Sequence, residues 1–432
     1  MLMWLGFFMI AVFMAAIMTQ RLSALVALIL VPVIFAVALG FGPQLGAMVG
    51  EGLLQVAPTA ALILFAVLFF SIMMDGGLFE PLVRRIVGLV GDDPVRVVIG
   101  SAVMAAIVSL DGDGATTVLI VIGAFLPVYR RLRMNPMVLG VVLGSANTVM
   151  NIMPWGGPTA RAAAATKADI DAVFLPLVPT IAAGILGTVA IAWWLGRSER
   201  ARLARGDDSH RWSDGPTGIA EILELPVAGS RLRFWANLAL TLIVLAMAVF
   251  HIAPLQLVFM AALAVGLLIN FPKPADQRKR LAEHAENALP IVLLIFAAGV
   301  FTGVLNGTGM VQSMANGLTR LIPDGAEGLM GPLTGVLAVP LTFVLSNDAY
   351  YFGVLPVLAQ TAVANGVSPL EIARASLLAQ PTHALSPLVP ALYLATGLLG
   401  VEVGAYQRFA LKWALLLVAL LVATATLTGA II

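Results

Sequence analysis

The chain is a succession of apolar stretches, each close to the length that crosses a lipid bilayer. A helix needs roughly 20 apolar residues to span a hydrocarbon core about 30 Å thick. Residues 2–18, 22–41, 53–74, 137–160, 173–195, 234–251, 255–271, 289–305, 370–395 and 406–432 qualify. The first stretch lacks a basic leader and runs straight into the second, so it reads as a span and not as a signal peptide. Composition agrees. Of 432 residues, 60% are hydrophobic and 11% charged, whereas a soluble domain carries about 25% charged residues. This excludes a soluble enzyme, a nucleic-acid binder and a disordered chain. The balance of 24 basic and 23 acidic residues implies no polyanionic partner, and the absence of cysteine excludes disulfides, thiolate metal sites and thiol catalysis. The chain reads as an all-α polytopic membrane protein.

Two further apolar regions, 97–127 and 329–360, are each broken in the middle by polar residues. Their halves are too short to span, which predicts re-entrant helix hairpins. With the N-terminus outside, this layout gathers most of the basic residues on one face, Arg84, Arg85, Arg96, Arg130, Arg131 and Arg133 among them. That is the segregation expected of cytoplasmic loops, which supports the layout; the expected location is the cell (plasma or inner) membrane, crossed several times.

The polar breaks form a repeat. Ser109-Leu-Asp-Gly-Asp-Gly-Ala-Thr-Thr117 and Leu345-Ser-Asn-Asp-Ala-Tyr-Tyr351 are each followed by an apolar arm with a proline, then by Asn135-Pro136 or Ser368-Pro369. An interrupted helix comes next in both copies: Ser145-Ala-Asn-Thr-Val-Met-Asn-Ile-Met-Pro-Trp-Gly-Gly-Pro-Thr159, and Gln380-Pro-Thr-His-Ala-Leu-Ser-Pro-Leu-Val-Pro390. Asp113 with Asp348, Pro136 with Pro369, and Pro154 with Pro387 keep a nearly constant separation. Each half holds an odd number of spans, five, so the second copy must be inverted. This is the arrangement of secondary transporters, whose broken helices meet at the membrane midplane. The expected units are an N-terminal repeat (1–196), a cytoplasmic linker (197–233) with a short amphipathic portion, and a C-terminal repeat (234–432).

Non-helical backbone at membrane depth must line protein or water. Gly112 and Gly114 let the first tip reverse and bring backbone N–H groups, including that of Thr116, toward a ligand. Asp111, Asp113 and, in the second tip, Asp348 offer hard oxygens suited to a divalent cation or a proton, with Ser346 and Asn347 beside them. A capped turn near the surface is the plainer reading of the first tip; the matching carboxylate in the second copy argues against it. In the first interrupted helix, Asn147 and Asn151 precede Pro154-Trp155-Gly156-Gly157-Pro158-Thr159, a run that cannot remain α-helical. Unwinding frees carbonyls for cations and aims a half-helix N-terminus at an anion. Arg161 follows, either as a carboxylate clamp or as a side chain reaching to the outer membrane edge. Thr382, His383 and Ser386 occupy the second break, where His383 is a ligand or a packed, hydrogen-bonded side chain. Asp75 reads as a helix-terminal turn. His210, His251 and His284 lie at loops or span ends with no such context.

These motifs carry a resemblance. Ser-Leu-Asp-Gly-Asp-Gly-Ala-Thr-Thr, the Asn-Pro loop and Asn-Ile-Met-Pro-Trp-Gly-Gly-Pro-Thr-Ala-Arg resemble the CitMHS family of citrate–divalent-metal–proton symporters, and Arg21-Leu-Ser-Ala-Leu-Val-Ala-Leu-Ile-Leu30 extends the likeness toward the N-terminus. A weaker similarity reaches the divalent-anion/sodium symporters, whose Ser-Asn-Thr tips would match Gly112-Asp113-Gly114 and Ser346-Asn347-Asp348. The resemblance implies a homodimer, each protomer with a scaffold domain and a transport domain that moves as an elevator. It implies no covalent cofactor. The cargo would be citrate chelated to Mg²⁺ or Ca²⁺, entering with protons. The competing readings are a Na⁺- or H⁺-coupled carboxylate carrier without metal, an intramembrane aspartyl hydrolase, and a channel.

Overall fold

The computed structural model describes residues 2–78, 80–112, 114–206, 231–250, 252–319 and 327–432. Asp113, His210, His251 and most of the expected linker lie outside these residues, the amphipathic portion with them. Among the described residues every regular element is helical. Five helices among the described residues are long and apolar enough to cross a membrane: Gly42–Asp75, Ile170–Ala204, Arg231–Val249, Ala288–Gly307 and Val403–Leu427. Shorter apolar helices include Leu2–Met18, Ala24–Ala38 and Leu255–Asn270. Side-chain caps set several starts: Ser23, Asp93, Asn135 and Ser368 each accept a backbone N–H of the first helical turn, which satisfies a donor the helix itself cannot.

Both regions expected to be hairpins are pairs of helices. Pro94–Val108 and Gly114–Arg131 meet across a 3₁₀ turn at Ser109–Asp111. Met330–Val344 is followed by a π-helical segment, Ala349–Val354, and then by Leu355–Ala364. Both interrupted helices are broken as well. The first comprises Pro136–Met150 and Gly157–Thr166; the second falls into Pro369–Leu377, Gln380–His383 and Pro390–Leu399.

The helices pack as two groups. In one, Leu45–Asp75 lies along Pro274–Gly307 and touches Leu255–Asn270, while Ala24–Ala38 and Arg231–Val249 close the sides. In the other, Pro94–Val108, Pro136–Met150, Val178–Ala204 and Val403–Leu427 surround the remaining hairpin and broken-helix pieces. Contacts between the groups run through Gly157–Thr166, the 3₁₀ turn at Ser109–Asp111 and the π-helical segment. The non-standard backbone therefore sits where one group faces the other.

Small residues permit the first group's tightest approach. A Cβ on Gly52 would stand 2.0 Å from the Gly299 carbonyl oxygen, and one on Gly303 would stand 2.3 Å from that of Met48. Helices without a hydrophobic drive between them associate through such close backbone packing. At the end of the same helix, Asp75 does more than turn the chain: its Oδ2 lies 2.8 Å from His284 Nε2 and 3.6 Å from Arg280. A span-end histidine with no sequence context thus proves to be a hydrogen-bond partner of Asp75. Beside it, Asn237 and Asn270 exchange amide hydrogen bonds of 2.8 and 2.9 Å.

The glycine contacts give a signed prediction. Gly50, in the same helix, has open space where a methyl group would stand; Gly50→Ala should stabilise the protein by up to about 1 kcal/mol through helix propensity. Gly52→Ala should instead destabilise it by about 1–3 kcal/mol through overpacking. Thermal unfolding of the two purified variants in detergent compares them, and stabilisation by both would refute the close approach.

Candidate functional site

A cavity of about 280 Å³ lies where the first hairpin tip, the first broken helix and the second broken helix converge. Gly112, Gly114, Asn147, Asn151, Gly157, Arg161, Asn347 and His383, all singled out from sequence, line it. Gln380 and Tyr406 line it too; neither was picked out as a site residue. Gln380 could have been found, because it opens the second break in the repeat. Tyr406 had no local signal. It reaches the cavity because Gly140 and Gly144 leave the wall of Pro136–Met150 open to its ring.

The first tip reverses at Gly112, whose φ of 77° is left-handed and favours glycine. Asp111 ends the 3₁₀ turn before it. Trp155 then ties the broken helix to this tip: its Nε1–H donates to the Leu110 carbonyl at 2.8 Å, and its ring packs against Phe70 and Phe259 at 5.3 and 5.1 Å between centroids. Gly156 is forced by space, since a Cβ there would lie 2.0 Å from the Asn151 carbonyl oxygen. Thr159 Oγ donates to the Ile152 carbonyl at 2.9 Å. Trp155, Gly156 and Thr159 therefore build the break and do not line the cavity. Nor does Thr116.

The second break is held in the same manner. Thr382 Oγ donates to the Ala379 carbonyl at 2.7 Å, Ser386 Oγ accepts the Leu388 N–H at 3.2 Å, and Gln407 Nε2 donates to the Leu385 carbonyl at 2.8 Å. In the second tip, Ser346 Oγ caps the following segment by accepting the Ala349 N–H at 3.2 Å. His383 is buried, and its Nδ1 sits 2.7 Å from the Thr342 carbonyl. A carbonyl only accepts, so Nδ1 carries a proton.

One ion pair joins the two halves at this site. Arg161 Nε donates to Asp348 Oδ1 at 2.7 Å, with the side chains 13% and 19% exposed. The arginine at the first break and the aspartate of the second tip are thus partners in one pair. Gly157 leaves room for the guanidinium, since a Cβ there would lie 2.9 Å from Arg161 Nη1. His383 and Tyr351 lie within electrostatic reach of the pair. Among the described residues, no three of His, Cys, Asp and Glu gather as a metal site.

The architecture is that of a multi-pass membrane protein. It is similar to the Alcanivorax borkumensis YdaH transporter, with a TM-score of 0.59 at 16% identity over 90% of this chain and 87% of that one. It is likewise similar to Neisseria gonorrhoeae MtrF, of a class of antimetabolite efflux pumps, with a TM-score of 0.64 at 13% identity over 90% and 85%. At such identities the likeness is one of fold. Sequence is more specific: the chain belongs to the citrate transporter family CitMHS, which it matches over residues 1–379. The citrate transporter of Bacillus subtilis (strain 168) is 48% identical over 414 residues, 96% of each chain. The Mg(2+)/citrate complex secondary transporter of the same organism is 46% identical over 432 residues, covering 100% of this chain and 99% of that one. The family is one of transporters, not enzymes, as its motifs led us to expect.

Trp155→Phe removes the Leu110 hydrogen bond and keeps the aromatic packing. It should cost about 0.5–1.5 kcal/mol and speed amide exchange in the Ser109–Asp111 turn. Unchanged exchange there would show that the indole does not hold the tip.

Proposed function

We propose that the protein is a secondary transporter that takes up citrate as a complex with a divalent ion, Mg²⁺ or Ca²⁺, together with protons, by alternating access in the cell membrane. The 46% identity to a Mg(2+)/citrate complex transporter supports the cargo. The observation that carries the reading on this chain's own residues is the Arg161–Asp348 pair beside the cavity. It puts a carboxylate-binding fork and a hard oxygen ligand at one place. Citrate is a trianion at neutral pH, and a dication cancels most of that charge before the cargo meets low dielectric. Here the metal is cargo. Citrate and amide oxygens would supply most of its ligands.

Alternating access follows from the repeat. Leu45–Asp75, Glu80–Val90, a hairpin, a broken helix and Val178–Ala204 recur in order as Pro274–Gly307, Met310–Thr319, a hairpin, a broken helix and Val403–Leu427. We read these as inverted repeats within 1–196 and 234–432, joined by a linker at 197–233 whose two ends continue the helices Val178–Ala204 and Arg231–Val249. The group built on Leu45–Asp75 and Pro274–Gly307 would be the scaffold of a homodimer. The group holding the hairpins would be the transport domain, sliding on it in an elevator motion.

In this reading Arg161 binds a citrate carboxylate, and Asp348 and Asp113 serve metal or proton, with Asp111 beside them. Gly114, at the start of Gly114–Arg131, presents its backbone amide to the anion, while Gly112 turns the tip and Thr116 stands behind the cavity wall. Asn147, Asn151, Asn347 and His383 complete the pocket. Trp155, Gly156, Gly157, Thr159, Ser346, Thr382 and Ser386 shape it through the backbone.

Uptake of radiolabelled citrate into proteoliposomes tests the proposal. Uptake should require Mg²⁺ or Ca²⁺ and rise with an inward proton gradient, and EDTA should abolish it. Uptake indifferent to EDTA but lost when Na⁺ is replaced would establish the metal-free carrier instead.

A further inference from the structure

The polar atoms around the cavity are sorted by sign. Asn147 Nδ2 donates to Ser109 Oγ at 3.1 Å, which turns Asn147 Oδ1 toward Asn151, whose Nδ2 donates to it at 3.2 Å. The relay leaves the Asn151 amide oxygen with no hydrogen-bond donor, and the Asn347 amide oxygen, from the other half of the chain, has none either. Both side chains line the cavity. Reversing the Asn151 amide alone would set two oxygens against each other. Two buried acceptors without donors are unfavourable and repel a carboxylate, whereas a hard cation takes such oxygens as ligands. Asn347 is the chain neighbour of Asp348. Arg161, the other member of the pair, provides donors only. A cation acceptor, Asp348, and an anion acceptor, Arg161, thus stand beside these amides, and their two full charges neutralise each other.

We propose that the Arg161–Asp348 pair is the specificity element that selects a metal–carboxylate complex over the free anion, by exchanging one ion pair for another. A cargo carboxylate takes Asp348's place on Arg161; the released Asp348 carboxylate turns with the Asn347 and Asn151 oxygens to the cargo's metal. Each of the two charges keeps a partner throughout. Free citrate would leave Asp348 stranded beside a like charge, and a free dication would strand Arg161. Leaving one charge of this partly buried pair without a partner is unfavourable, so neither component binds well alone. This rests on the metal–citrate reading above and assigns its selectivity to named atoms.

The readout is a ratio: the affinity of full-length purified protein for citrate in excess Mg²⁺, divided by its affinity for citrate in EDTA, each measured by titration calorimetry. Wild type should strongly prefer the complex. Asp348→Asn leaves Arg161 without a carboxylate, so free citrate should bind more tightly than it binds wild type. Loss of the charge-assisted contact to the metal should reduce the ratio by roughly 10- to 150-fold. A gain of affinity for the free anion is something a merely structural aspartate would not give. Should the single variant fail to fold, Arg161→Gln/Asp348→Asn leaves no unpaired buried charge and should also lose the preference. A folded variant that weakens both ligands equally, with the wild-type ratio intact, would overturn the exchange. A wild-type ratio near one would overturn the metal–citrate reading itself.

Discussion

Backbone that leaves helical geometry inside a bilayer has no water to bond, and each unsatisfied group costs several kcal/mol. The rest of this structure follows from how that constraint is met. At the first break, the Thr159 hydroxyl takes up the Ile152 carbonyl, and the Trp155 indole takes up the Leu110 carbonyl of the neighbouring tip. At the second, Gln407 bonds the Leu385 carbonyl and Tyr393 the Pro387 carbonyl at 2.9 Å. Nearer the chain end, Arg374 secures the carbonyls of Ala172 and Ala430 at 2.7 and 3.0 Å. Much of the polar chemistry in the interrupted segments therefore maintains the interruptions. His383 does both, bonding the Thr342 carbonyl while lining the cavity; the side chains left over, Arg161, Asp348, Asn151 and Asn347, gather around it.

The breaks also link the two helix groups. Trp155 comes from a broken helix of one group, and Phe70 and Phe259 belong to helices of the other. The π-helical turn after Asp348, an element common at functional sites, touches Leu2–Met18 and Pro274–Gly307. A change in the pair at Arg161 and Asp348 would thus be felt where the groups meet. That is the physical basis for coupling cargo to domain movement in the proposed cycle.

How much of this was legible in the sequence depended on the kind of signal. Apolar runs gave the helices well, and Leu2–Met18 falls where the hydropathy placed it. The third stretch begins earlier than expected, at Leu45 and not at residue 53, because glycines and Glu51 lower its hydropathy without stopping the helix. Residues 370–395 read as one interrupted span but form three short helices, because Pro381 and Pro390 each start a new one. Proline, glycine and polar residues in apolar surroundings pointed to the cavity. They could not distinguish a lining residue from one holding backbone: Thr159 and Asn151 look alike in the sequence, and only tertiary geometry separates them. Pairing was the least legible feature. Arg161 and Asp348 are 187 residues apart and Asp75 and His284 are 209 apart, and no local pattern connects residues at that distance.

The central claim is that cargo replaces Asp348 on Arg161. A cryo-electron microscopy structure of the full-length protein with Mg²⁺ and citrate, at a resolution that shows side chains, tests it directly. The account predicts that the 2.7 Å contact between Arg161 Nε and Asp348 Oδ1 is broken, with a citrate carboxylate on the guanidinium and Asp348 turned to the metal. An intact Arg161–Asp348 pair with citrate bound elsewhere would contradict it.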